Sequence, residues 1–135
     1  MNDKLQELLK IFVSWTKIKV KIHLSERKVY PKVREIWWVS LGQNVGVEIN
    51  GKNDKFERPV VVIKVFNSFG MLVAPISSAD KEFKYFVEFI NNEGEKNFIN
   101  MSQIRSISSK RFIRYVGNLN SSDFEKVRRI YLSFV

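Results

Sequence analysis

Arg58-Pro59-Val60-Val61-Val62-Ile63 is the stretch on which the fold turns. Four consecutive β-branched residues form a run that water must not reach, and that run reads as a buried strand. Pro59 has no N–H to give to a sheet ladder, so it belongs at the first position or the edge of such a strand. The strand therefore starts beside a guanidinium. Arg58 carries a permanent charge and a rigid fork of donors that matches phosphate oxygens. Just upstream, Gly42 to Phe56 (GQNVGVEINGKNDKF) is polar, holds three glycines and carries the carboxylate Glu48. A flexible loop and a fixed cation thus meet at one strand start.

Working outward, the chain changes character on either side. Asp3 to about Ile22 sets Leu5, Leu8, Leu9, Phe12, Trp15 and Ile22 at helical spacing, with lysines between them, which predicts an amphipathic helix. Lys17 to Ile22 also alternates with period 2, as a strand would. Leu8, Ile11, Trp15, Ile18 and Ile22 carry one helical face through the disputed stretch, and helix is the reading adopted. Ser25 to Pro31 is a connector. From Arg34 onward short strands follow: Ile36 to Val39, Arg58 to Phe66, Met71 to Ile76, a run over Phe83 to Ile90, and weaker candidates over Phe98 to Ile107 and Phe112 to Val116. Asn67-Ser68-Phe69-Gly70 and Asn91-Asn92-Glu93-Gly94 are turn signals between them. Ser122-Asp123-Phe124-Glu125 has capping-box spacing, and Phe124, Val127, Tyr131 and Phe134 mark a closing helix whose apolar face packs on the sheet. Phe83 and Phe86 read as core. This is an α+β chain, mainly β: residues 1–31 form a helix and connector, and residues 32–135 a compact barrel or strongly bent sheet with a C-terminal helix.

Composition narrows the chemistry. The 135 residues suffice for one domain with a sizeable core. Without cysteine, disulfides and thiolate metal sites are excluded, and His23 is the only histidine. His23 falls near the end of the N-terminal helix and reads as a structural or solvent-facing residue. Two-histidine nuclease chemistry and Ser-His-Asp triads are therefore excluded, and no metal or cofactor is expected. No apolar stretch reaches the ~20 residues that span a bilayer. The start MNDKLQELLK lacks the features of a signal peptide, so a cytoplasmic protein without membrane attachment is expected. A net charge of +9 points to an anionic partner without choosing among RNA, DNA, acidic protein and membrane.

RNA cleavage can proceed with what remains. The substrate's own 2′-hydroxyl attacks the adjacent phosphate, so the protein has only to hold the phosphate, stabilise charge and help protons move. Arg58 suits charge stabilisation. Ser77, ending the strand after Arg58's own, can donate to a nonbridging oxygen, and Glu48 can accept the 2′-OH proton where its loop folds over the same spot. The alternative for Ser77 and Ser78 is the ordinary one, hydroxyls that satisfy a local turn.

Ile36-Trp37-Trp38-Val39, Gly46-Val47-Glu48, Arg58 to Val62, Val73-Ala74-Pro75-Ile76-Ser77-Ser78, Ser102-Gln103-Ile104-Arg105, and Lys110-Arg111-Phe112 through Gly117 together resemble the MazF/PemK toxins over Arg34 to Val135. The resemblance implies a small SH3-like barrel that dimerises, cuts single-stranded RNA without metal to leave a cyclic phosphate, and is neutralised by an acidic antitoxin. Under it, Arg58 matches the catalytic arginine, Ser77 stands where threonine is usual, Glu48 matches the acidic residue of a Gly-x-Glu segment, and Gln103 matches the glutamine of a late Asp-Gln pair. Ser102 replaces the aspartate of that pair, the loop from Glu48 to Arg58 is longer than usual, and the helix before Lys32 lies outside the resemblance. Lys52, Lys55, Phe56, Ser78, Lys81, Lys84, Gln103 and Arg105 are the expected RNA contacts, combining backbone neutralisation with a ring for base stacking. A gyrase-poison toxin of the same fold and a non-catalytic RNA- or antitoxin-binding module are the competing readings.

Overall fold

The central strand buries both of its faces, which is why its sequence shows an unbroken apolar run instead of an alternation. In the computed structural model, which describes residues 2–79 and 84–135, this strand is β2, Glu57–Val65, flanked by β1, Glu35–Ser40, and β3, Gly70–Ser77. Val61 and Ile63 enter one core cluster, and Val60 and Val62 enter another. Successive side chains point to opposite faces of a strand, so one run of four supplies two cores.

The remaining strands are β4, Phe86–Ile90, β5, Lys96–Asn100, β6, Arg105–Ser108, and β7, Phe112–Asn118. They pair antiparallel in the order β4-β5-β3-β2-β1-β7, with β6 added to β3. The path bends strongly but does not close into a ring. β3 makes the bend, pairing with β2 along its first part and passing to β5 at Ile76 and Ser77. The stretch expected as one strand over Phe98 to Ile107 is instead two, separated by a 3₁₀ turn over Met101–Gln103. Asn100 causes the break by accepting a hydrogen bond from the Ser102 N–H at 3.1 Å, an alternative to continuing the ladder.

Both turn signals do what their asparagines suggest. Asn67 Oδ1 accepts from the N–H groups of Phe69 and Gly70, and Asn91 Oδ1 from those of Glu93 and Glu95. Of the run over Phe83 to Ile90, β4 covers the second half. Phe83, expected in the core, lies outside the described residues, and Phe86 is half-buried, 6.2 Å from Phe98.

Helix α2, Ser121–Ser133, lays Phe124, Val127, Ile130 and Tyr131 on the first core cluster. Its N-cap is Asn120 rather than the expected Ser122: Asn120 Oδ1 accepts from the Asp123 N–H at 2.8 Å, and the Ser122 hydroxyl donates to the same oxygen.

Helix α1, Asp3–Leu24, is helical through the stretch that also alternated, and Asn2 caps it by accepting from the Leu5 N–H. It touches the sheet domain through very little of its apolar surface. Trp15 is its single buried residue, while Leu5, Leu9, Val13 and Val20 stay exposed. Among the described residues no helix is long and apolar enough to cross a membrane.

Candidate active site

The register of the β2–β3 ladder sets the geometry of the site. Val60 pairs with Pro75 and Val61 with Ala74. Arg58 and Ser77 lie just beyond the last pair of this ladder, where the Arg58 guanidinium reaches the carbonyl of Ile76, the residue before Ser77. Both line one cleft of about 200 Å³, together with Trp38, Lys52, Glu57 and Ser78. The cation and the hydroxyl proposed from the sequence therefore come to the same place.

Each is partly committed to the protein. Arg58 donates through Nε to the Asn50 carbonyl at 2.7 Å and through Nη1 to the Ile76 carbonyl at 3.3 Å. These two bonds tie the guanidinium to the loop on one side and to β3 on the other. Burial pushes its pKa down from the usual arginine value, yet arginine remains charged across the neutral range. Five N–H donors less two leave three for a ligand. The Ser77 hydroxyl accepts from the Ala79 N–H at 3.1 Å, the local turn bond that its type favours, and keeps its own proton to give.

The glycine-rich loop is closed by backbone bonds at its base. The N–H groups of Leu41 and Gly42 both reach the Phe56 carbonyl, at 2.8 and 3.1 Å. Lys52 and Glu57 exchange both backbone bonds at 2.8 Å. Gly51 lies so close that a Cβ there would stand 1.7 Å from the Phe56 oxygen, so only glycine fits. Trp15 of α1 seals this base: its ring lies 5.6 Å from that of Phe56, and a Cβ on Gly42 would meet it at 2.5 Å. The Arg111 guanidinium sits 5.7 Å from the same indole while donating to the carbonyls of Ser40 and Leu41. Burial, and then the charge of Arg105, lower the Arg111 pKa.

Phe56 is accordingly a correction to the expected RNA contacts. Its ring is buried against Trp15 and is not offered to a base. Gln103 has a second occupation as well. Its Oε1 accepts from the Ile49 N–H at 3.0 Å and its Nε2 donates to the Val47 carbonyl at 2.9 Å, so it fastens the middle of the loop. Glu48 does not line the cleft; its carboxylate accepts from the Val45 N–H within its own turn. Lys52 and Ser78 line the cleft, but Lys55, Lys84 and Arg105 do not. Lys84 lies 5.5 Å over the Tyr85 ring, and Arg105 stands on β6 opposite Val73. Lys81 falls outside the described residues.

Trp38, Glu57 and Asn97 also line the cleft and are not among the site residues expected from the sequence. Glu57 is 6% exposed and is held by Arg114 on β7 through two bonds of 3.2 and 3.3 Å, with Asn53 Nδ2 at 3.0 Å. Arg114 in turn lies 4.7 Å over the Trp38 ring. A carboxylate, a guanidinium and an indole form one braced stack beside Arg58. Glu57 directly precedes the Arg-Pro pair, but its partner lies 57 residues further on. Among the described residues no group of three or more His, Cys, Asp or Glu is placed to hold a metal ion.

Residues 32–133 match the sequence pattern of a family described as the PemK-like, MazF-like toxin of type II toxin-antitoxin systems. The chain belongs to this family. Solved structures of MazF proteins share its fold. MazF from Deinococcus radiodurans superposes with a TM-score of 0.65 at 19% identity, covering 78% of this chain and 96% of that one. The Mycobacterium tuberculosis toxin MazF-mt6 gives 0.58 at 18% identity, over 75% and 96%. An endoribonuclease in complex with its cognate antitoxin, from a mycobacterial species, gives 0.56 at 9% identity, over 76% and 90%. No curated protein sequence matches the chain. Helix α1 precedes the stretch matched to the MazF/PemK family.

Proposed function

We propose that this MazF/PemK toxin is an endoribonuclease that cuts single-stranded RNA by attack of the 2′-hydroxyl on the neighbouring phosphate. The single observation that carries the reading is the meeting of Arg58 and Ser77 in one cleft. In the reaction the 2′-oxygen bonds to phosphorus and loses its proton, and the 5′-oxygen leaves and gains one, giving a cyclic phosphate. Negative charge builds on the nonbridging oxygens in between. In this reading the three uncommitted donors of Arg58 and the Ser77 hydroxyl stabilise that charge, the role in which preorganised donors act most strongly. Lys52 adds a phosphate contact at the mouth of the cleft. The working pair is thus Arg58 and Ser77, and Glu48 stands aside from it.

An acidic antitoxin is the partner that fits the +9 charge, and the mycobacterial endoribonuclease of the same fold was solved with its antitoxin. The same reading includes a homodimer, checked by light scattering. Purified protein incubated with a long single-stranded RNA in EDTA is expected to cut it. Arg58→Ala is expected to abolish cutting and Ser77→Ala to lower it by about 10²-fold, the cost of one lost oxyanion donor. Cutting that survives in Arg58→Ala overturns the assignment.

A further inference from the structure

A second cavity, about 360 Å³ in volume, opens beside the Arg58 cleft and shares Trp38, Pro59, Ile76 and Asn97 with it. Its chemistry is of the opposite kind. No lysine or arginine lines it, and it carries two carboxylates: Glu93, exposed on its turn, and Asp123, which is paired with Lys126 at 3.7 Å. Those charges repel phosphate, so the cavity does not continue the backbone track. Its floor is apolar, with Ile36, Phe89 and Leu119 buried beneath it. Its rim is rich in amides, each able to donate and to accept. An apolar base, an amide rim and acceptor carboxylates suit a neutral planar heterocycle with polar edges.

Two details make the cavity ready for such a guest. Trp38 is braced from behind, because Arg114 covers one face of the indole, lines neither cavity and is itself held by buried Glu57. A rigid ring at the shared wall is a stacking platform, and stacking is a principal source of single-strand affinity. The Asn92 amide makes no hydrogen bond among the described residues, and its Nδ2 lies 3.1 Å from the point where a Cβ on Gly117 would stand. Asn92 and Glu93 sit together on the β4–β5 turn at the mouth, presenting a free amide and a carboxylate side by side.

We propose that this cavity is a nucleobase pocket, taking a base that carries an exocyclic amine from the strand whose phosphate lies against Arg58 and Ser77. Carboxylates accept from exocyclic amines and asparagine pairs with an amine and a neighbouring ring nitrogen, whereas uracil has no such amine to give. The pocket deepens the nuclease reading and rests on it for the direction of the strand.

The test measures binding and cutting separately. Uncleavable 2′-O-methyl oligomers of A, C and U are titrated into the full-length protein and followed by fluorescence anisotropy. Oligo(A) and oligo(C) are expected to bind at least about tenfold more tightly than oligo(U). The double variant Asn92→Ala, Glu93→Ala, placed on an exposed turn where folding is not at stake, is expected to erase that preference. Arg58→Ala weakens all three oligomers alike. Oligo(U) binding as tightly as the others, or a preference that survives in the double variant, overturns the pocket. So does a double variant whose molar mass by light scattering differs from wild type, because a second copy of the chain would then be the occupant. Cutting without base preference leaves the nuclease reading standing and removes the pocket; preference without cutting does the reverse.

Discussion

Removing the Trp15 side chain tests whether α1 belongs to the functional unit or merely precedes it. Trp15 is 6% exposed and is the only buried residue of its helix. It packs on Phe56 and Gly42, the two stems of the loop that supplies the Asn50 carbonyl to Arg58. Large-to-small changes of a buried Trp cost about 3–5 kcal/mol. For a chain of this size each kcal/mol moves the melting temperature by about 3–5 °C, so Trp15→Ala should lower it by about 9–25 °C. Leu9→Ala, on the exposed side of the same helix, should change stability by less than about 0.5 kcal/mol. The decisive assay is amide hydrogen exchange. With Trp15 gone, the N–H groups of Leu41, Gly42 and Gly51, which close the base of the loop, should exchange faster, and RNA cutting should fall with them. A melting temperature within about 3 °C of wild type, with loop protection unchanged, would refute the argument that α1 holds the loop.

Gln103→Ala removes both bonds that fasten Val47 and Ile49, so the loop should become sensitive to limited proteolysis and KM for RNA should rise, with the melting temperature nearly constant. Gln103→Glu keeps the acceptor for Ile49 and should fall between the two. Glu57→Ala strips Arg114 and Asn53 of a buried acceptor and should cost about 1–3 kcal/mol in chemical denaturation, whereas Glu48→Ala on the exposed turn should stay within about 0.5 kcal/mol and leave cutting close to wild type. Gly51→Ala drives a methyl into the Phe56 carbonyl and should abolish soluble expression or cut stability by more than about 3 kcal/mol, since backbone rather than a flexible side chain is in the way.

Periodicity and turn chemistry made most of the fold legible, because both are local. The buried run Val60 to Ile63, the asparagine turns at Asn67 and Asn91 and the stripe on α2 each carry their meaning within a few residues. The break after Asn100 was missed because one side-chain bond to Ser102 outweighs an otherwise continuous strand pattern. Arg58 and Ser77 could be named from the sequence since each marks a strand end. The fates of Phe56 and Gln103 could not, for opposite reasons. Phe56 looked like an exposed aromatic in a polar loop, and only a helix forty residues earlier in the chain covers it. Gln103 looked free to meet RNA, and only the folded loop shows that its amide already spans two backbone groups. Glu57 gives no local signal, because the Arg114 that holds it lies 57 residues further along the chain.

The positioning of Arg58 explains why so much of the chain surrounds a single side chain. A flexible arginine would lose rotamer freedom each time it met a phosphate, a cost of up to about 2 kcal/mol. Here the loss is taken on folding: Asn50 holds Nε, Ile76 holds Nη1, Gln103 and the Trp15 seal hold the loop that carries Asn50. Burial weakens the hydration of the guanidinium and lowers its pKa, so under the proposed function the remaining donors would meet a phosphate in a medium where charge counts for more. The sign of the pH effect follows. The shift disfavours the charged form, yet arginine starts so far above neutrality that it stays protonated throughout the working range. Arg58 should therefore add no inflection to a pH–rate profile near neutrality. An inflection there that persists in Glu48→Ala but disappears in Arg58→Lys, with Arg58→Lys still cutting, would show that the guanidinium titrates and would break this account of a preset, permanently charged fork.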